Sequence, residues 1–248
     1  MIWEYTTRTD RGLRRRRNED ALLVAPERRL FAVADGMGGH AAGDVASALA
    51  IATLDAALAR APSPRIGAAA LARRLRAAFA ASHQALLAHG QAVPECLGMG
   101  TTLTALAALA SEDACVIAHV GDSRAYQVRT GELRQLTRDH TWVQEQVDLG
   151  MLSPAQAASH PYSSILLRVL GGGAEPGPAD TCGAVCQPGD LFLLCTDGLC
   201  GVIPPDDLRA MLVQELPLEE LADQLVAAAY LRGAPDNLTL LLLRARAE

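Results

Sequence analysis

An α+β fold built on antiparallel sheets is what the sequence predicts, and three observations carry it. Strand-like apolar runs come in adjacent groups. Two long helical patterns follow one another in a single block. The chain has 248 residues, of which 50% are hydrophobic. Strands alternating with helices would point to a parallel βαβ sheet, whereas grouped strands favour antiparallel pairing. That length and apolar content suit one large domain with an ample core, or at most two small ones. No internal repeat or low-complexity linker divides the chain, so residues 1–248 are read as a single domain.

The elements follow in order. Strand-like runs are expected at IWEYTT (2–7), ALLVA (21–25) and RLFAVAD (29–35). A helix is expected from His40 to Arg60, where Val45, Leu49, Leu54 and Leu58 recur at helical period. A second runs from Ile66 to His89 on Leu71, Leu75, Phe79 and Leu86, with Pro62 and Pro64 separating the two. More strands are expected at TTLTALAAL (101–109), ACVIAHVGD (114–122) and RAYQVR (124–129), then LFLLCTD (191–197) and NLTLLLL (237–243). Gly121-Asp122 and Thr130-Gly131 read as turns between neighbouring strands. Shorter helical patterns cover Trp142–Leu149, Asp206–Glu215 and Leu218–Arg232.

Composition excludes several function classes. The formal net charge is −6 and the isoelectric point about 5.5, a poor basis for binding nucleic acid, which needs clustered cations. All 22 cationic residues are arginine; this resembles coding bias and implies no function. The one basic run, Arg14–Arg17, is short and reads as a solvated loop. The N-terminus MIWEYTTRTDRG lacks an apolar signal core, and no stretch approaches the ~20 apolar residues of a membrane span. A soluble, cytoplasmic protein is expected, with no membrane partner. The cysteines at 96, 115, 182, 186, 195 and 200 read as small buried hydrophobes. Cys182 and Cys186 are four apart, but no second Cys/His pair has zinc spacing.

Four acidic residues share one local context. Asp35 ends FAVAD and precedes Gly-Met-Gly-Gly. Asp197 ends LFLLCTD and precedes Gly. Asp122 ends CVIAHVGD, and Asp236 immediately precedes NLTLLLL. One aspartate at a strand end is ordinarily a turn residue. Four of them, with Asn18-Glu19-Asp20 before another strand, make independent turns a weak account. Ionised carboxylates brought together in a protein are costly unless cations pair with them. All-oxygen sites suit hard divalent ions such as Mg or Mn rather than zinc. Two such ions ~3.5–4 Å apart activate water for phosphate-ester hydrolysis.

Six motifs then carry a resemblance. They are T-D-R-G-L-R-R-R-R-N-E-D (9–20), D-G-M-G-G-H-A-A-G (35–43), G-M-G-T-T (98–102), G-D-S-R (121–124), T-D-G-L (196–199) and A-P-D-N-L-T (234–239). D-H-T-W (139–142) and L-L-R-V-L-G (166–171) add to them. In this order and over nearly the whole chain, the sequence resembles the PP2C-type (PPM) serine/threonine protein phosphatases in their bacterial form. The resemblance implies a four-layer α-β-β-α sandwich, with two antiparallel sheets flanked by helix pairs and metals in a cleft at one end.

The resemblance also implies roles. Asp35 would bridge two Mn or Mg ions, with the Gly36 carbonyl as a further ligand. Asp20, Asp197 and Asp236 would complete the second site, and Glu19 would act through water. Asp122 with Asp197 would hold a weak third ion. Many relatives carry an Asp four residues after the T-D-G aspartate, where this chain has Gly201, so that site should be incomplete. Arg15 would bind the substrate phosphate; its neighbours Arg14, Arg16 and Arg17 offer the same charge, and only the spacing to Asn18-Glu19-Asp20 selects it. His40 would protonate the leaving serine or threonine oxygen, the alternative being a polar residue that merely opens the helix. His119 reads as a strand residue packing under Asp122. The stretch from Leu149 to Ser164 would form a flap beside the site.

The expected mechanism is direct attack on phosphorus by water or hydroxide bridging the metals, with no phospho-enzyme. No cysteine is followed six residues later by arginine, the spacing of cysteine-nucleophile phosphatases. Expected partners are phosphorylated proteins, chiefly a eukaryotic-like Ser/Thr kinase and its targets, for a monomeric enzyme. Two alternatives stand. One is a catalytically idle PPM-fold module that binds a phosphorylated partner or senses a ligand. The other is an enzyme acting on a small metabolite or an anti-sigma-factor antagonist. No anchor or sensor domain is expected within this length.

Overall fold

The computed structural model describes residues 1–37, 42–59, 66–109, 113–173 and 176–247. In chain order the elements are β1 (Ile2–Asp10), β2 (Asp20–Ala25), β3 (Leu30–Met37), α1 (Gly43–Ala59), α2 (Ala68–Ala92), β4 (Gly100–Thr101), β5 (Leu103–Ala108), β6 (Ala114–Val120), β7 (Arg124–Arg129) and β8 (Glu132–Gln135). They continue with α3 (Trp142–Asp148), α4 (Pro154–Ala158), β9 (Leu170–Gly171), β10 (Asp180–Val185), β11 (Leu191–Cys195), α5 (Asp197–Cys200), α6 (Pro205–Leu212), α7 (Leu218–Leu231) and β12 (Leu238–Arg246).

The strands form two antiparallel sheets. One has the order β1-β12-β11-β7-β8; the other runs β10-β6-β5-β3-β4-β9, with β2 also paired to β3. Their long apolar runs are explained by burial on both faces. In β3, Phe31 and Val33 enter the core between the sheets, while Leu30, Ala32 and Ala34 face α1 and α2. In β11, Phe192 and Leu194 face the other sheet, and Leu191, Leu193 and Cys195 face α6 and α7. This period of two assigns each face to a different layer. The result is the α-β-β-α order, an α+β fold as expected.

The sandwich core is closed by aromatics. Trp3 meets Phe31 and Phe192 edge-on, with centroids 6.1 and 5.7 Å apart. Phe31 and Phe192 are fully buried, each contributing about 2 kcal/mol on this account. Outside it, Ala46, Ala50, Leu54 and Leu58 line one stripe of α1 and pack with Leu71, Leu75, Phe79 and Leu86 of α2. The alanines let the helices approach the sheet closely.

Several boundaries differ from the sequence expectations. The run 101–109 breaks at Thr102, whose backbone N–H donates to the Asp35 carbonyl at 2.9 Å instead of continuing a ladder. The run 191–197 stops at Cys195, and Asp197 opens α5. Thr130-Gly131 does join paired strands, β7 and β8. Gly121-Asp122 instead carries the chain from β6 in one sheet to β7 in the other. Strands β8 and β10 were not expected, because ELRQ and DTCGAV sit at sheet edges and carry little apolar alternation. The segment 149–164 contains the short helix α4, closed by a reciprocal Ser153–Gln156 capping box. The expected helix ends at His40 and Arg60, and Pro62 and Pro64, lie outside the described residues.

No described helix is long and apolar enough to cross a membrane.

Candidate active site

The strand ends bring the carboxylates to one end of the sandwich. Asp20 begins β2 and sits directly across from Asp35 on β3. Asp197 follows β11, and Asp236 precedes β12, which pairs with β11. The Asp35 and Asp197 carboxyls lie close enough for each to shift the other's proton affinity. Asp122 reaches the same neighbourhood from the crossing between sheets, close enough for its charge to act on Asp35.

Crowding of like charges away from water shows in the proton affinities. Burial first, then the charges of Asp197, Asp20 and Asp122, hold the Asp35 carboxyl well above the usual carboxylate range. Burial and then Asp197 do the same for Asp122. Burial also raises Asp197. Asp20 is pushed up to about 7 by burial, against the opposing hydroxyls of Thr239 and Thr196. Glu19 is raised by burial and then by Asp44. Such a set is expensive to ionise without cations.

The backbone around these groups is tightly closed. The Gly36 N–H donates to the Glu19 carbonyl at 3.1 Å. A Cβ on Gly36 would lie 2.0 Å from the Gly43 carbonyl oxygen, so only glycine lets the end of β3 approach the start of α1. A Cβ on Gly198 would lie 1.8 Å from the Asn237 carbonyl oxygen, so α5 reaches Asp236-Asn237 only through glycine. The glycines after Asp35 and Asp197 therefore serve close approach.

Hydroxyl and amide side chains hold the carboxylates in place, and the sequence reading assigned them no role. Thr101 Oγ1 donates to the Asp35 carbonyl at 2.8 Å. Thr102 Oγ1 accepts from the Asp35 N–H at 2.9 Å and meets Ser123 Oγ at 2.7 Å. Thr196 Oγ1 donates to Asp20 Oδ2 at 2.9 Å and accepts from the Thr239 N–H. Asn237, only 4% exposed, accepts the Glu19 N–H and donates to the carbonyls of Arg11 and Arg17. The available signal was a polar residue inside an apolar strand run, as at Thr101, Thr102, Thr196 and Thr239.

Arg15 stands at the rim, its Nη2 donating to Asp236 Oδ2 at 2.6 Å. That bond raises its pKa further, so the guanidinium stays charged. Arg17 lies 3.8 Å from Asp44. Glu19 is placed by its backbone, with its carbonyl accepting from Ser47 Oγ at 2.6 Å. His40 lies outside the described residues. His119 is a buried strand residue, as expected, but its neighbour is the His140 ring, stacked at 4.8 Å, and its Nδ1 meets Thr104 Oγ1. Burial lowers its pKa to about 3, so it is neutral. Arg124, two residues beyond Asp122, grips Asp139 through both carboxylate oxygens and anchors the chain that leads into α3.

The donor chemistry fits hard divalent cations. Asp20 Oδ1 and Asp197 Oδ1 are buried with no hydrogen-bond partner, the lone pairs a cation would use. Among the described residues, no three carboxylate, thiol or imidazole side chains enclose an ion on their own. Asp35 and Asp197 crowd each other and Asp236 is taken by Arg15, so an ion would also draw on backbone carbonyl and water oxygens.

Fold and site together define a two-sheet sandwich with an acidic, oxygen-donor centre at one end. Comparison with known proteins places it further. The sequence profile described as Protein phosphatase 2C matches residues 13–242, and the chain belongs to that family. It is 42% identical to the serine/threonine protein phosphatase PstP of Mycobacterium tuberculosis, over 98% of this chain and 45% of that protein. The chain thus spans about half the length of the first curated relatives it matches. It is 38% identical to the serine/threonine phosphatase stp of Listeria monocytogenes, over 95% of this chain and 93% of that one. The crystal structure of the PstP catalytic domain in complex with two manganese ions superposes with a TM-score of 0.86 at 36% identity, covering 99% of each chain.

Proposed function

We propose that this chain is one catalytic domain that hydrolyses phosphoserine and phosphothreonine in proteins, using two Mn or Mg ions. The observation that carries the proposal is the meeting of Asp20, Asp35 and Asp197, two of them with unpartnered buried oxygens, beside the Arg15–Asp236 pair. Asp35, the Gly36 carbonyl, Asp20, Asp197 and Asp236 would hold the ions, with Glu19 acting through water. When bound, the ions would lower the pKa of a water and place it for direct attack on phosphorus.

The chain's own groups do the rest. Arg15 exchanges Asp236 for the substrate phosphate, offering two parallel N–H donors to its oxygens. Its charge then offsets what builds on the phosphoryl oxygens as the new P–O bond forms and the ester P–O bond breaks. The departing serine or threonine oxygen takes a proton, and His40 is assigned as its donor on family resemblance. If so, His40→Ala slows phosphoserine turnover far more than turnover of an activated aryl phosphate; equal losses would remove the role.

Asp122 and Asp197 are assigned a weak third ion. A Cβ at Gly201 would lie 2.6 Å from the Asp197 carbonyl oxygen, so a carboxylate cannot be placed there without moving Asp197. Full third-site occupancy in a crystal soaked in millimolar Mn, with ligands beyond Asp122 and Asp197, would overturn this. The substrates are assigned to phosphorylated proteins, including a Ser/Thr kinase and its targets. The decisive test is metal-dependent phosphate release from phosphothreonine peptides by the parent and by Asp35→Asn. Turnover by the parent alone supports the proposal; no turnover by folded parent with Mn present would favour a phosphoprotein-binding module.

A further inference from the structure

The turn between β1 and β2 inverts the charge of the molecule locally. The chain carries −6 overall, yet Arg11, Arg14, Arg15, Arg16 and Arg17 stand within seven residues, five of its 22 cationic residues. All five are exposed. Asp236 occupies Arg15 and Asp44 approaches Arg17. Arg11, Arg14 and Arg16 have no acidic partner among the described residues.

This turn is not a loose solvated loop. The Asn237 amide donates to the carbonyl of Arg11 at 2.9 Å and to that of Arg17 at 2.7 Å, clamping both ends. The Leu13 N–H donates to the Ala234 carbonyl at 2.9 Å, and the Gly12 N–H to Asp10 Oδ1 at 2.7 Å. The arginines are therefore fixed to the segment that carries Asp236. Their backbone pays little further ordering cost when a ligand arrives.

Arg14 and Arg16 adjoin Arg15 in sequence, each one Cα step of about 3.8 Å away. An extended peptide advances ~3.3 Å per residue. A phosphate held by Arg15 thus brings about three flanking residues on either side within reach of the unpartnered guanidinium groups. We propose that this turn selects phosphorylated segments that carry a second negative charge within about three residues of the phosphoresidue. The inference rests on the phosphatase reading above and adds a substrate class to it. The recognised chemistry is a clustered anion, supplied either by acidic side chains or by a further phosphate.

Exposed charge pairs each contribute modestly and are screened by salt. Two such contacts should raise kcat/KM by about 3–10-fold at low ionic strength, with the advantage shrinking at ~0.5 M salt. The experiment compares three phosphothreonine peptides of one sequence. The first has neutral flanks, the second glutamates at the two positions on either side, and the third a second phosphothreonine two residues away. They are assayed with Mn on the parent and on an Arg14→Ala/Arg16→Ala double variant, with p-nitrophenyl phosphate as the flank-free control. The expected result is the stated preference for both anionic peptides in the parent and its collapse below about 2-fold in the double variant, with the control unchanged. A preference confined to one anionic peptide identifies which anion the turn reads. A parent ratio of one or less, or a preference that survives the double substitution, overturns the proposal. If no substrate is turned over, the phosphatase reading fails instead. The ratio of peptide Kd values by fluorescence anisotropy then judges the arginine turn separately.

Discussion

Asn237 joins three parts of the site that are distant in sequence, and removing its amide should separate stability from phosphate binding. Its Oδ1 accepts the Glu19 N–H at 2.9 Å, and its Nδ2 reaches the carbonyls of Arg11 and Arg17 at 2.9 and 2.7 Å. Three hydrogen bonds at about 1 kcal/mol each would total ~3 kcal/mol. Arg11 and Arg17 lie at the exposed rim, where water can replace the lost donors. Asn237→Ala should therefore cost about 2 kcal/mol, lowering a urea midpoint by ~0.7 M at an m-value of about 3 kcal/mol/M. Asn237→Asp keeps the acceptor for Glu19 but turns both donations into a carboxylate oxygen facing the Arg11 and Arg17 carbonyls in a buried, acidic site. It should therefore cost at least as much as alanine. It should also loosen the turn that holds Arg15. If half of a charge-assisted phosphate contact is lost, the inhibition constant of inorganic phosphate rises ~10-fold. The assay is phosphate inhibition of p-nitrophenyl phosphate hydrolysis, repeated in an Arg15→Ala background. There the Asp substitution should change the constant less than ~2-fold, because the contact it disturbs is already gone. Equal effects in both backgrounds, or an unchanged urea midpoint for Asn237→Ala, would refute the reasoning.

Three further outcomes are expected. Arg15→Ala should lower kcat/KM for phosphopeptides about 10²-fold, and Arg15→Lys should recover little, because an ammonium lacks the planar fork; near-parental activity in the lysine variant would contradict the bidentate role. Asp20, raised to about 7 in the folded chain from an ordinary value near 3.8, binds its proton more tightly folded than unfolded. Stability in EDTA should therefore fall as pH rises from about 4 to 7, by up to ~4 kcal/mol for this group. Asp35, Asp122 and Asp197 act in the same direction, so Mn should raise the melting temperature more at pH 8 than at pH 5. An EDTA melting temperature that climbs between pH 5 and 8 would count against this. Finally, Gly198→Ala forces a Cβ to 1.8 Å from the Asn237 carbonyl oxygen and should cost about 3 kcal/mol or more, seen as a lowered melting temperature and lost Mn response.

Much of the fold was legible because its strands are long and apolar. FAVAD, LFLLC and LTLLLL state their burial in composition alone, and the spacing of Leu71, Leu75, Phe79 and Leu86 states a helix. The edge strands β8 and β10 were illegible for the opposite reason: an edge needs a hydrogen-bonding neighbour more than an apolar face. The turn at Gly121-Asp122 was recognised as a turn, but whether it folds back in one sheet or crosses to the other depends on packing far from it. The segment near 102 was read as continuous strand, because nothing local announces that Asp35 captures the Thr102 backbone.

The sequence by itself determined the site's chemical character. Aspartates at the ends of several buried strands pointed to a shared acidic cluster, and clustered carboxylates suit hard cations rather than zinc. It also determined the α+β class, since hydrophobic period and grouping are local properties. Only the tertiary structure decided how those carboxylates share charge: Asp35 crowded by Asp197, Asp236 turned to Arg15, and Asp20 held by Thr196. It alone revealed that Asn237 clamps the arginine turn from over two hundred residues away. These are contacts between residues with no sequence neighbourhood in common. Their energies depend on distance and burial, which exist only once the two sheets have packed.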